Sequence, residues 1–369
     1  MIVHKFGGSS LATADHFKNG LEILGHSKDQ AEQKIVVLSA PQGITQLIVD
    51  ISENILGDED KTIENKNQLR DKLKKIANEL FESEEFNKKA WTQCEVYLSE
   101  IESLWNSLKL TRRLSPTNLD VISGYGELFS CCFFNNYLLS KNVSVATIDA
   151  REFLTIEELE NHQPFQISWE ESKQRLLNRF KETEIENTEF IVIPGYVART
   201  TKNEPTTLKR NGSDWSAAII ANLVDASSLY IWTDVDGVLS ADPKIVNNTF
   251  VVPELSYNEA SELAHFGANV LHPNTIEPVR EKNIPLFIKN SLFSDHQGTK
   301  VYDQDLENKE ANVRESVKGL ALIKDVALLN LEGSGMMGVP GIAEKLFHAL
   351  REANVSVILI SQGSSEQSI

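Results

Sequence analysis

Four short strand-like runs constrain the fold of this chain more than any other feature. They are residues 2–6, 35–38, 190–193 and 228–232; 35–38 and 190–193 are apolar at every position, whereas 2–6 contains His4 and Lys5 and 228–232 opens on Ser228. Runs that are apolar on successive residues suit strands buried on both faces, as in a parallel sheet covered by helices. Each run ends in a polar or glycine-bearing loop: Gly7-Gly8-Ser9-Ser10, Ser39 to Thr45, Pro194-Gly195, and Thr233-Asp234-Val235-Asp236-Gly237. Helical patterns from about Ala12 to Leu24 and from Thr45 to Ile55 alternate with them. In open parallel sheets the carboxyl ends of the strands share one edge, where ligands bind. Lys5, the glycine pair, Thr45, Gly195, Arg210 and Asp234 are therefore expected to converge there. Cations, glycine-rich turns and helix N-termini together make an anion site.

The stretch from Pro205 to Gly237 carries most of that site. Lys209-Arg210-Asn211-Gly212-Ser213-Asp214 opens a helix of small and apolar residues, with Ser213 or Asp214 expected to cap it. Arg210 offers a planar fork for a carboxylate or phosphate. A capped helix of an ordinary α/β protein would read the same way, so the other loops decide. Neither a Walker A pattern nor G-x-G-x-x-G is present.

Other segments fix the organisation. Between Gly57 and Leu110, Leu69, Leu73, Ile76 and Leu80, then Tyr97, Ile101, Leu104 and Leu108, recur at helical spacing. They predict two amphipathic helices in an insertion, about 57–115. A further helix is expected over 118–139, with Gly124 and Gly126 inside it at a cost of ~1 kcal/mol each. Such a cost suggests close approach of a ligand or a neighbouring helix. Glu127 beside them is a candidate for an ammonium group or, read alone, an exposed glutamate. Residues 143–148 read as a strand and 156–182 as mostly helical. Ser256 with Glu259 predicts a capping box. His272 is expected to make a local hydrogen bond. Residues 284–288 form another strand, and 298–315 an edge segment and linker. From Val317 the pattern restarts: strand 327–331, helix 341–353 and strand 355–360, one βαβ unit of a small second domain. The chain stops as another strand begins, so that domain is expected to be cut.

Net charge of −17 and a pI near 5.0 argue against nucleic acid or an anionic membrane surface as a partner. Three cysteines, Cys94, Cys131 and Cys132, suggest reduced thiols in a cytoplasmic protein, with no zinc spacing. No apolar run reaches transmembrane length.

With these residues assembled, the chain resembles the aspartate kinases of the amino-acid kinase superfamily. Lys5-Phe6-Gly7-Gly8-Ser9-Ser10 is similar to their N-terminal motif. Gly43-Ile44-Thr45, Gly126-Glu127, Arg210 to Asp214, Thr233 to Gly237, and Phe266-Gly267-Ala268 with Val270-Leu271-His272-Pro273 follow in the family's order. The C-terminal unit resembles the first part of an ACT regulatory domain. Its Ser356 to Gln362 and Ser364-Ser365-Glu366 are most like kinases fused to a second enzyme, commonly homoserine dehydrogenase and sometimes diaminopimelate decarboxylase.

The resemblance implies an α/β fold with a mostly parallel open sheet between helices over 1–300, a linker at 301–316 and a partial ACT-like domain at 317–369. It implies transfer of the ATP γ-phosphate to the β-carboxylate of L-aspartate. Lys5 would bridge the transferring phosphate beside the Gly7 and Gly8 amides, oriented by Asp214. Arg210, Thr45 and Ser213 would hold the α-carboxylate, within a motif that includes Asn211 and Gly212. Glu127 would take the α-ammonium. Thr233 and Asp234 would hold the nucleotide, with Ser9, Leu239, Lys244, Asn269 and Val270 in the same region. Mg²⁺ would be carried by phosphates and water rather than by protein ligands. Threonine or lysine as feedback effector and a homo-oligomer of the intact protein are expected.

Four positions depart from the family pattern. Lysine is usual at Asn269, tyrosine is frequent at Leu239, arginine at Lys244 and glycine at Lys209. Lys209 or Lys244 would replace the missing cation. The competing readings are a kinase for another acidic amino acid, or a degenerate kinase fold serving as a regulatory binding subunit.

Overall fold

The computed structural model describes residues 1–25, 32–158, 165–209, 211–266, 271–303, 317–324, 326–333 and 339–361. It divides into two units, 1–322 and 323–369. The first is built on an eight-stranded sheet. Strands β1 (Ile2–Phe6), β2 (Lys34–Leu38), β3 (Val145–Thr147), β6 (Phe190–Pro194), β9 (Ser228–Thr233), β10 (Glu254–Ser256), β11 (Leu286–Asn290) and β12 (Thr299–Tyr302) lie in the order β10-β12-β11-β9-β1-β2-β6-β3. Among the described residues of this sheet, only β11 and β12 pair antiparallel. All four runs are adjacent at its centre, and β1, β2, β6 and β9 are buried almost throughout.

The alternation of side chains sends each strand into two cores. Val3, Ile35, Val37, Ile191, Leu229 and Ile231 meet α8 (Gly212–Leu223), α9 (Tyr257–His265) and α10 (Pro273–Glu281). Phe6, Val36, Leu38, Val192 and Trp232 meet α1 (Ala14–Gly25), α2 (Ile44–Asn54) and α6 (Tyr125–Ser140) on the other face.

The insertion forms as its spacing predicts, as α3 (Glu59–Leu80) and α4 (Glu84–Thr111). It is not a separate body. Leu69, Leu73, Ile76 and Leu80 share one core with Ile44, Leu47 and Ile48 of α2, and α4 packs on α6. Trp105, fully buried, donates its indole N–H to Ser52 Oγ at 2.9 Å. Asp58 caps α3 by accepting from the Lys61 amide.

Several expectations are corrected. The helix over 118–139 is two helices, α5 (Pro116–Ser123) and α6, joined at Gly124. The reason is packing: a Cβ on Gly124 would come within 2.5 Å of Val197 Cγ1. Residues 156–182 are not all helix. Strands β4 (Thr155–Glu157) and β5 (Gln166–Ile167) precede α7 (Trp169–Glu182), and β7 (Val197–Thr200) and β8 (Pro205–Thr207) complete a second sheet in the order β5-β4-β7-β8. Strands of two to four residues leave too little periodicity to detect. Strand β12 is not at the edge, because β10 pairs outside it.

The capping box at Ser256 and Glu259 is present, and His272 accepts from the Asn274 amide as a local cap. In the second unit the helix forms as α11 (Ile342–Glu352). Residues 327–331 and 355–360 form no strand ladder among the described residues, and Leu328 and Leu359 are exposed. A strand exists only where a neighbour pairs its backbone, which apolar sequence alone does not supply.

Candidate active site

The loops leaving β1, β2 and β6 are stitched to one another through the backbone. Ser39 N–H donates to Phe6 O at 3.1 Å, Gln42 N–H to Gly8 O at 3.1 Å, and Gly195 N–H to Leu38 O at 2.9 Å. Sequence order reverses here, since β1 continues to β2 on one side while β9 joins it on the other. A crevice therefore opens above β1, as the topology of open sheets requires. It is a cavity of about 520 Å³.

Most of the expected residues line it. Lys5, Gly8, Ser9, Thr45 and Glu127 come from one side, and Asn211, Gly212, Ser213 and Asp214 from the other. Close backbone approach explains the glycines. A Cβ on Gly8 would lie 2.9 Å from Ala40 O, on Gly195 2.8 Å from Ser213 Cβ, and on Gly126 2.6 Å from Ala40 Cβ and 3.2 Å from Thr45 Oγ1. The Gly126 contact brings Thr45 and Glu127 to the same wall.

Lys5 Nζ lies 2.5 Å from Asp214 Oδ1, with both side chains largely shielded from water. Strand β1 and the first turn of α8 set this pair. Asp214 is thus an ion-pair partner rather than the expected cap. The cap position is Asn211, in a left-handed conformation with φ 55° and without a side-chain bond. The start of α8 accordingly faces the cavity.

Glu127 is the second electrostatic feature. It is buried to 4% exposure, which overturns its reading as an exposed glutamate. It lies in the first turn of α6, three residues after Gly124, on a stretch buried from Tyr125 to Phe134. Burial pushes its carboxyl up to about 8, opposed by hydrogen bonds from the Ala40 and Glu127 amides and by the charge of Lys5. Its Oε2 meets no hydrogen-bond partner among the described residues. A sealed carboxylate with one unpartnered oxygen fits a cationic ligand group.

Other expected residues stand elsewhere. Gly7 sits beside Lys5, but its N–H donates to Trp232 O at 3.0 Å, so that amide is committed to the sheet edge. Thr233 and Asp234 follow β9, next to β1. Thr233 O accepts from Ser291 N–H at 2.8 Å, and Asp236 Oδ1 accepts from Asn290 Nδ2 at 2.7 Å. Leu239 pairs with Val251 in the loop beyond, and exposed Lys244 donates its amide to Asp242 Oδ1. Lys209 lines the cavity, but its ammonium pairs with Asp120. Its φ of 61° is the left-handed region that favours glycine. The expectations for Arg210, Asn269 and Val270 lie outside the described residues.

Sequence reasoning missed Tyr196 and Gln42 in the lining and named Gly43 only within the Gly43-Ile44-Thr45 motif, without a role. Their signal was position alone, each lying just past the carboxyl end of a central strand. No group of three His, Cys, Asp or Glu side chains among the described residues suits a metal ion.

A doubly covered, mostly parallel sheet whose central crevice holds a lysine–aspartate pair and a sealed glutamate defines the class, and the chain belongs to the amino acid kinase family, whose model matches residues 1–290. An ACT domain model matches 329–369. Its relatives include aspartokinases. The chain is 36% identical, over its whole length, to the chloroplastic bifunctional aspartokinase/homoserine dehydrogenase 1 of Zea mays, and spans 39% of that protein. It is 31% identical to lysine-sensitive aspartokinase 3 of Escherichia coli, spanning 77% of it. The crystal structure of E. coli aspartokinase III in complex with aspartate and ADP (R-state) superposes on all of this chain with a TM-score of 0.81 at 28% identity, covering 78% of that chain. A second structure of the same enzyme, with lysine and aspartate (T-state), gives a TM-score of 0.76 at 28% identity. No helix among the described residues is long and apolar enough to cross a membrane.

Proposed function

We propose that the chain is an aspartate kinase, forming 4-phospho-L-aspartate from L-aspartate and ATP. The observation that carries this reading is the pairing, in one cavity, of the Lys5–Asp214 ion pair with a buried Glu127 whose Oε2 is unpartnered. Both α-charges of a free amino acid then have a place: the ammonium on Glu127, the carboxylate at the start of α8 and at Thr45. We assign the α-carboxylate clamp to Arg210.

The acceptor is a carboxylate with an ordinary pKa of about 3.9, so it is ionised near neutrality and needs no general base. The protein's work is positioning and charge neutralisation. Lys5 supplies the positive charge where negative charge gathers in the transition state, and Asp214 fixes its direction. Burial favours the neutral form of Glu127, and an ammonium beside it would favour the ionised form. Gly8 lets the loop after β2 close onto the loop after β1, since a Cβ there would meet Ala40 O at 2.9 Å. The nucleotide's place would be the adjoining loop at Thr233 and Asp234. The bound nucleotide with Mg²⁺ supplies the phosphoryl group and screens its charge. Asp214 is already tied to Lys5, so Mg²⁺ would be held by phosphates and water.

The same proposal extends to the longer protein. It includes feedback by lysine or threonine, a homo-oligomer, fusion to a homoserine dehydrogenase as in the plant relatives, and a cytoplasmic location. ATP-dependent acyl-phosphate formation, trapped with hydroxylamine, tests the core of it. Turnover of L-aspartate that falls on the order of 10²-fold or more in Lys5→Ala supports the assignment. Turnover of glutamate but not aspartate would shift the substrate, and nucleotide binding without any turnover would refute the kinase reading.

A further inference from the structure

Helix α2 begins at Gly43, one of the residues that line the cavity, and its first-turn amides point towards the loop after β2. The N-terminus of a helix carries a partial positive charge. A cation placed there is unfavourable unless an anion joins it. Yet the ammonium of Lys72 is there. A Cβ built on Gly43 would lie 3.2 Å from Lys72 Nζ. Gly43 has a φ of 80°, so a side chain at that position is strained as well as crowded.

Lys72 belongs to α3, the first helix of the insertion. Its neighbours Leu69 and Leu73 are fully buried against α2, and this packing fixes where Lys72 starts. Among the described residues no carboxylate lies within ion-pair distance of it; on the same helix Lys66, Arg70 and Lys75 each have one, and Lys61 and Lys74, like Lys72, do not. Lys72 does not itself line the cavity but stands beside Gly43, which does, and the described cations that line it are engaged: Lys5 with Asp214 and Lys209 with Asp120. An exposed lysine with no acidic partner, set at the positive end of a helix on the cavity wall, leaves an uncompensated positive field at the rim. The cavity also contains the unpartnered Glu127 Oε2, which independently points to a ligand carrying a cationic group.

We propose that Lys72 is a specificity-determining residue for an acidic amino acid, drawing the dicarboxylate into the cavity and stabilising it there through its net negative charge. This rests on the reading of the cavity as an amino-acid site. The insertion then serves the site, not only the core. The contribution is that of an exposed charge, so it is modest and screened by salt. Lys72 touches no reacting atom, and the rate of the bound complex is independent of it.

The test is calorimetric binding of L-aspartate to the whole chain at low and at high sodium chloride, for wild type, Lys72→Glu and Lys72→Arg. The expected result is binding weakened on the order of three- to tenfold in Lys72→Glu, near wild type in Lys72→Arg, with the gap closing in salt. Asparagine, zwitterionic but without net charge and used as a control ligand, loses less. Equal affinity of Lys72→Glu and wild type at low salt overturns the proposal. So does a loss that salt leaves unchanged, or a loss that Lys72→Arg shares, since either marks a steric effect. Kinetics separates the two ideas. If aspartate binds with this pattern but hydroxylamine traps no acyl phosphate, the kinase reading falls and the role of Lys72 stands. If wild type binds no aspartate, both fall.

Discussion

A carboxylate sealed from water is costly unless a cation meets it, and Glu127 is sealed with one oxygen unpartnered. Its folded-state pKa, about 8, lies above the ordinary 4.5. The neutral form is therefore the one the fold favours. The stability tied to it is fully present below pH 4.5 and is lost as pH rises towards 8. Glu127→Gln should accordingly gain on wild type by a few kcal/mol, at most about 5, between pH 5 and 8, read from urea unfolding at each pH. The same variant should bind L-aspartate at least about tenfold more weakly, since a charged hydrogen bond is worth roughly 1.5–3 kcal/mol. Stability and affinity moving in opposite directions would identify a binding group; a loss of both would identify a structural one. Gly126 gives a second expectation at this scale. Its added methyl would meet Ala40 Cβ at 2.6 Å, so Gly126→Ala should cost about 1–3 kcal/mol and disturb Thr45, seen as a lower melting temperature with a raised KM.

At the scale of elements, helix starts follow two designs. Helix α9 opens with a reciprocal capping box, Ser256 Oγ accepting from the Glu259 amide and Glu259 Oε2 from the Ser256 amide. Its purpose is stability, and Ser256→Ala should cost about 1 kcal/mol in thermal or denaturant unfolding with little change in turnover. Helices α2 and α8 open at Gly43 and Asn211, both in left-handed conformations and both without a side-chain cap. The first amide of each is spent locally, Ile44 N–H on Pro41 O and Gly212 N–H on Lys209 O, which leaves the next two in each first turn for the cavity. Capping was legible at Ser256 because the box is a fixed spacing. At Ser213 and Asp214 the same residue types misled, since Asp214 faces Lys5 across the crevice instead. The break at Gly124 was equally hidden, because it answers to Val197, far away in sequence.

For the whole molecule, the insertion and the sheet share one core. Ile101, Trp105 and Leu108 of α4 belong to the cluster that includes Phe6, Val36 and Trp232. Residues 1–322 should therefore unfold in a single transition rather than shedding α3 and α4 first. Trp105→Ala, which removes a fully buried indole and its bond to Ser52, should lower that transition by about 3–5 kcal/mol without splitting it. Calorimetry with tryptophan fluorescence checks this, and an early separate loss of helix would contradict it.

The parallel core was legible in the sequence, since 35–38 and 190–193 are apolar on both faces and too short for helices, which suits central strands. The sequence by itself also determined the insertion, whose helical period extends over some fifty residues, and the motif loops at the strand ends. Lys5, Thr45 and Ser213 were legible because each lies at a fixed offset from such a strand or from a glycine, whereas Glu127, read alone an exposed glutamate, gained its role only through the family resemblance. Tertiary structure alone decided which of them meet. It spent the Gly7 amide on Trp232 O, tied Lys209 to Asp120 and Asp214 to Lys5, and closed Glu127 off from water. It also formed the second sheet, whose strands are too short to carry a period. The physical reason is common to all of these. Periodicity is a local property of the chain, whereas burial and ion pairing depend on partners brought together only when the sheet closes.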